Sequence, residues 1–185
     1  ISHFSQFSSQ SKFLKKNINP YLVDAPDLVV SRRSSPLCSV PPLVYGSKPA
    51  DGGNLLFTPT ERVEFLQKEP AAAPFVRRFL GSEEFINNIE RYCLWLIDCP
   101  PDQLRQMPEV FSRVEKVRAM RLASKKSPTR ALADTPTVFA EIRQPSTDYL
   151  VIPEVSSESR NYIPIGFVSN DVIASNKLYS LSDPS

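Results

Sequence analysis

After Pro108, Val110, Phe111, Val114 and Val117 recur at three- and four-residue steps. That apolar stripe predicts the longest helix of the chain, over 109 to about 126, with Pro128 ending it. Arg118, Arg121 and Lys125 fall on a second face at the same kind of spacing, flanked by Arg113 and Lys116. A shorter helix is predicted from Thr58-Pro59-Thr60-Glu61. Thr58 stands as cap, Pro59 at the first position and Glu61 three residues after the cap, with Val63, Phe65 and Leu66 as the apolar face up to Glu69-Pro70. A second helix is expected over about 72–80, ending at Gly81. A third is capped by Ser82, with Glu83 and Glu84 in its first turn and Phe85 and Ile86 turned inward.

Elsewhere the pattern shortens to strand length. ERYCLWLID (90–98) is rich in aromatic and apolar residues and closes at Pro100-Pro101, and its uncharged run 92–97 reads as a buried strand. LVV (28–30) is a further short buried strand, ending in Ser31-Arg32-Arg33. From Phe139 onward the chain reads as strands: FAEIR, DYLVIPEV, YIPIGFV and KLYSLS, with prolines that imply edges or bends. Helices first and strands later, without regular alternation, predict an α+β domain with a helical N-terminal half and a largely antiparallel C-terminal sheet. Residues 36–58 are turn-rich and hold Tyr45, Lys48 and Asn54, side chains able to stack or hydrogen-bond. Residues 1–16 are serine-rich and read as a tail or linker, with the domain proper at 17–185.

Charge changes this picture. Seven of the 22 basic residues and one of the 20 acidic ones lie in 110–130, which leaves 15 and 19 elsewhere. A net +6 stretch therefore sits on a body of net −4. Such a concentrated positive field is what a polyanion responds to, although a solvated charged face has the same composition. Eighteen prolines against five glycines imply many short elements joined by stiffened turns. The chain begins with Ile, which implies a piece of a longer protein, and carries no secretory signal pattern or stretch of transmembrane length. Cys38, Cys93 and Cys99 have no metal-binding spacing and read as reduced thiols of a cytoplasmic protein.

The motifs of self-sufficient catalysis are missing. A single histidine, His3, argues against zinc chemistry and against a histidine base. There is no phosphate-binding glycine loop with lysine and no Gly-x-Ser-x-Gly elbow. Asn19-Pro20-Tyr21 is similar to the Asn-Pro-Pro-Tyr/Phe loop of amino-methyltransferases, but it lacks the second proline, and no glycine-rich turn precedes it. What remains is suited to recognition. VSSESRNY (155–162) is a polar loop between two apolar strands. Its arginine can pair with guanine, its glutamate with the cytosine amine and its asparagine with adenine, though any hairpin loop can hold such residues.

An ordered set of segments carries a resemblance. INPYLVDAPDLVV (18–30), SSPLCSVPPLVYGSKPADGGNLLFTPTER (34–62), FLGSEEFINN (79–88), RYCLWL (91–96), RLASKKSPTRALADTP (121–136), EIRQPSTDYLVIPEVSSESRNYIPIGF (141–167) and DVIAS (171–175) together resemble the target recognition domain of MmeI-like restriction–modification enzymes. Members of that family join an endonuclease module, an S-adenosylmethionine-dependent adenine-N6 methyltransferase and a recognition domain in one polypeptide. The resemblance implies a domain that reads double-stranded DNA without catalysing anything itself. It binds no cofactor; the parent uses S-adenosylmethionine and, for an active nuclease, magnesium. Its partners are duplex DNA and the methyltransferase module of the same polypeptide, with no membrane involved. On the matching positions, Lys125, Lys126, Arg130 and Arg143 are expected to contact phosphates or bases, and Ser156, Glu158 and Arg160 to lie where base edges are read. Glu158 and Arg160 can instead form a surface pair, and Arg143 an internal pair with Glu141. The competing reading is a protein-interaction or structural domain whose basic helix packs on an acidic neighbour.

Overall fold

The computed structural model describes residues 16–27, 29 and 31–182. The expected tail, apart from Lys16, lies outside the described residues, as do Leu28 and Val30 of the expected first strand; Val29 is exposed and non-helical. The chain falls into two compact units, Ile1–Val40 and Pro41–Ser185. In the first, the Asn19 side-chain oxygen accepts from Tyr21 N (3.0 Å) and Val23 N (3.3 Å), closing a turn in which Leu22 has φ 61°. The carboxamide oxygen that a methyltransferase loop would offer to a target amine is here engaged by the turn's own backbone.

The second unit is α+β, built on two four-stranded sheets. One has the order β1 (Val44–Tyr45), β8 (Leu178–Leu181), β5 (Tyr149–Pro153), β6 (Gly166–Val168), antiparallel throughout. The other runs β2 (Leu56–Phe57), β4 (Tyr92–Leu94), β3 (Val76–Leu80), β7 (Ile173–Ala174), and its β3–β7 pair is parallel. The side chains of that pair alternate between two cores. Phe79 and Ile173 enter a large one with Phe57, Phe65, Leu94, Val110, Val114 and Val117, while Leu80 and Ala174 join Tyr149, Val151 and Leu178. Gly46 lies where the chain passes from β1 toward β7. A Cβ there would stand 2.4 Å from the Ser175 carbonyl oxygen and 2.5 Å from that of Ala174, so only glycine permits the approach.

Helix α1 (Pro59–Lys68) has the expected capping box. Thr58 Oγ1 accepts from Glu61 N (3.3 Å), and Glu61 Oε2 accepts from Thr58 N (2.8 Å). Helix α2 (Ser82–Asn87) is not capped by Ser82 as expected: Gly81 is its N-cap, the Ser82 hydroxyl donates to Lys177 O, and Glu84 supplies the capping oxygen, accepting from Gly81 N at 3.0 Å. A short helix α3 (Pro101–Arg105) leads into α4 (Pro108–Leu122), whose first turn is capped from a distance: Glu69 Oε2 accepts from Glu109 N at 3.0 Å.

Several expectations fail for identifiable reasons. The predicted helix over 72–80 is a 3-10 turn (Pro70–Phe75) followed by β3, because pairing with both β4 and β7 outweighs the helical spacing of Val76, Phe79 and Leu80. FAEIR forms only the bridge Lys48↔Glu141, since Pro49 has no N–H and Ala50 turns away at φ 44°. Pro164 restricts the strand in YIPIGFV to Gly166–Val168. In ERYCLWLID only Tyr92–Leu94 is strand; Trp95 N still donates to Phe75 O (2.8 Å), but Phe75 belongs to the 3-10 turn, and the indole meets Phe139 edge-on, 5.0 Å between ring centres. The long helix stops at Leu122, short of the expected end near Lys126, and a new one, α5 (Ser127–Ala131), carries Pro128 in its first turn.

Candidate nucleic-acid interface

The basic stretch divides into a buried and an exposed set. Arg121, expected on a charged outer face, is 0 % exposed. Its five N–H groups donate to five carbonyls: Nε to Ala50 (3.0 Å), Nη1 to Leu132 and Thr135 (both 2.9 Å), and Nη2 to Pro49 (3.0 Å) and Val138 (2.9 Å). That uses every donor a guanidinium has. Burial lowers its pKa, an effect opposed by the charge of Asp51. Arg113 is also drawn inward. It lies 4.2 Å over Phe57 and 5.3 Å from Phe65, donates to Asn54 O (2.8 Å), and has its pKa lowered by burial against the pull of Glu61, Glu109 and Asp51. Lys116, Arg118, Lys125, Lys126 and Arg130 stay exposed. Of these, Lys125, Lys126 and Arg130 lie at the α4–α5 bend, while Lys116 and Arg118 sit back along α4.

That bend has a chemical cause. In a continuous helix Pro128 would have to donate to Ser124 O, and it has no N–H. Arg130 Nη1 supplies the missing bond, donating to Ser124 O (3.0 Å) and Lys125 O (2.9 Å), while Lys126 N donates to Ser124 Oγ (3.2 Å). Lys125 and Lys126 are thereby held on an exposed corner. Arg130 has a structural duty that its place in the sequence did not reveal.

The polar loop between β5 and β6 is exposed from Glu154 to Ile163. A tight turn organises it: Arg160 N donates to Ser157 O (3.2 Å), Ser159 N to Ser157 Oγ (3.3 Å), and the two serine hydroxyls lie 2.7 Å apart. Ser156, Glu158 and Arg160 are all brought to solvent. Among the described residues the ion pairs join Glu84–Arg91, Asp102–Arg105, Glu141–Arg143 and Glu154–Lys177, so Glu158 and Arg160 do not form the surface pair considered above. Arg143 does form its internal pair, Nη2 lying 2.5 Å from Glu141 Oε2, and its backbone N donates to Ser47 Oγ (3.0 Å).

Asn54 and Tyr45, singled out in the turn-rich segment, are both engaged. Asn54 Nδ2 donates to Asp51 O (2.8 Å) in a turn whose glycines, Gly52 and Gly53, have φ 64° and 82°, and Tyr45 stacks on Tyr179 at 4.4 Å. The positive-φ glycines Gly52 and Gly53 serve this turn and do not open a helix. Among the described residues no cluster of His, Cys, Asp or Glu is grouped to hold a metal, and no helix is long and apolar enough to cross a membrane. Cys93 is buried, which pushes its thiol pKa well up.

The module is thus α+β, with an exposed polar turn after β5 and a basic corner at the α4–α5 bend. The family model described as "MmeI, target recognition domain" matches residues 24–185, and the chain belongs to that family. It is 39% identical over 177 residues to DNA methyltransferase A of Bacillus subtilis (strain 168), a match covering 96% of this chain and 20% of that protein. A solved structure of the type IIL restriction–modification enzyme MmeI in complex with DNA is 47% identical, with a TM-score of 0.84, over 95% of this chain and 23% of that one. The chain thus spans about a fifth of the length of these relatives.

Proposed function

We propose that this domain reads a short sequence in double-stranded DNA and holds that site for an adenine-N6 methyltransferase module of the same polypeptide. The observation that carries the reading is the exposed turn after β5, which presents Glu158 and Arg160 outside any ion pair. The MmeI relative's complex with DNA supports the choice of ligand. Lys125, Lys126 and the outer edge of the Arg130 guanidinium take phosphates, releasing counterions and fixing register. Ser156, Glu158 and Arg160 test base edges, where a good bidentate contact discriminates by ~1–3 kcal/mol. Arg143 is oriented by its pair with Glu141 and keeps guanidinium N–H groups for a phosphate or base. Methyl transfer from S-adenosylmethionine, and magnesium-dependent cleavage where a nuclease is present, belong to the rest of the polypeptide.

The test is binding of duplex DNA by the full-length protein across a salt series. Affinity falls steeply with added salt if several phosphates are contacted. Lys126→Ala weakens binding to all duplexes evenly and lowers the salt slope by about 1, whereas Arg160→Ala relaxes preference at one base position. Salt-independent or undetectable binding by the folded protein sinks the reading and favours a protein-interaction domain.

A further inference from the structure

The antiparallel sheet β1-β8-β5-β6 is apolar on both faces. In β5 and β8 buried and half-buried residues alternate strictly. The buried set, Tyr149, Val151 and Leu178, belongs to the smaller core, against which Phe85 of α2 packs; a Cβ on Gly166 would come within 2.9 Å of the Phe85 ring. The other parity belongs to the opposite face. There the register sets Phe167, Leu150 and Leu181 in one row across β6, β5 and β8, and Ile152, Tyr179 and Tyr45 in the next row across β5, β8 and β1. Leu43 and Ile165, one residue outside β1 and β6, continue these rows with the same parity. That gives two rows of apolar or aromatic side chains.

This face is open. Phe167 is 83 % exposed, and Leu43, Tyr45 and Ile165 are exposed as well. A half-solvated antiparallel sheet ordinarily alternates apolar-in with polar-out, and a contiguous apolar patch on a soluble domain marks an interaction surface. At one end the face becomes polar through the Lys177–Glu154 pair (3.1 Å), the arrangement of an apolar centre with a charged rim. Its two rows contain no lysine or arginine; the basic side chains Lys48 and Arg143 stand only at its Tyr45 edge, so the centre lacks the cationic groups that phosphates require. The curated relative is a DNA methyltransferase of which the matched region is 20%, so most of that polypeptide lies outside the matched domain.

We propose that the outer face of this sheet, centred on Phe167, Leu150, Ile152 and Tyr179, is the surface on which the methyltransferase module of the same polypeptide docks through an apolar patch of its own. The assignment rests on the reading of this domain as one module of a longer methyltransferase.

Hydroxyl-radical footprinting of the full-length protein, dilute and without DNA, tests the proposal. Phe111 serves as reference because it is an exposed phenylalanine on α4. Phe167 is expected to be oxidised severalfold more slowly than Phe111, with Tyr45 and Tyr179 protected alongside it. In the full-length Phe167→Lys protein, oxidation of Tyr45 and Tyr179 should rise severalfold. The exposed position of Phe167 makes the substitution tolerable to the domain's own fold, and unchanged salt-dependent DNA binding would confirm that the domain is intact. Protection that appears only as protein concentration rises assigns the face to a second copy, and protection only on adding duplex assigns it to DNA. Either result, or a Phe167 rate equal to that of Phe111 throughout, overturns the proposal. Loss of DNA binding by the wild-type protein with protection intact would instead remove the DNA-reading assignment and leave this one standing.

Discussion

Arg121 shows how one side chain can invert a reading based on pattern. Its spacing with Arg118 and Lys125 is that of a solvated face, yet it is the largest fully buried side chain described. The decisive partners are carbonyls at 49–50 and 132–138, remote or irregular segments that no periodicity links to α4. An isolated buried charge is costly unless its donors are satisfied, and here all five are. Arg121→Ala is expected to destabilise the domain by ~3–5 kcal/mol, as removal of one side of a buried charged network does, measured by urea unfolding. Arg121→Lys, with three donors for five carbonyls, should recover only part of that loss. Arg130 is similar in kind: its positive charge was legible, and its repair of the bond that Pro128 cannot make was not.

Among the elements, α1 was read almost in full because its signals are local. Thr58, Pro59 and Glu61 lie within four residues and act on one another, so the cap can be found without tertiary knowledge. The cap of α4 is Glu69, forty residues before the amide it serves, and no local rule could find it. β3 was misread for the same reason, its conformation being decided by strands on both sides. The α1 cap also makes a testable statement about pH. Hydrogen bonds from Thr58 backbone and side chain hold the Glu61 carboxyl below its ordinary value of 4.5. A depressed folded pKa contributes stability above the unfolded value, and that contribution is lost as pH falls through the folded one. The Tm advantage of wild type over Glu61→Ala should therefore be full at neutral pH and shrink below about pH 4.5, as followed by thermal melts monitored by circular dichroism.

For the whole molecule, class and family were legible while the architecture of two sheets sharing a parallel pair was not. The polar loop at 155–162 was found because its serines and charges interrupt apolar runs. The outer sheet face was overlooked, although the unbroken apolar run YLVIP was its signal: a strand with one wet face should alternate. The two cores meet along β3 and β7, and the chain crosses between the sheets beside Gly46. Gly46→Ala pushes a methyl into two carbonyl oxygens and should break the bridge between Ser47 and Ser175, with a loss of more than ~1 kcal/mol. Calorimetry should still give a single transition at lower temperature, because the β3–β7 pair couples the cores.

The turn at 157–160 is held by its own backbone and serine hydroxyls, and its glutamate and arginine support nothing beneath them. Folding therefore exerts little pull on their identity. On the proposed reading, exchanging those two letters alters the address while the residues that keep the scaffold upright remain as they were.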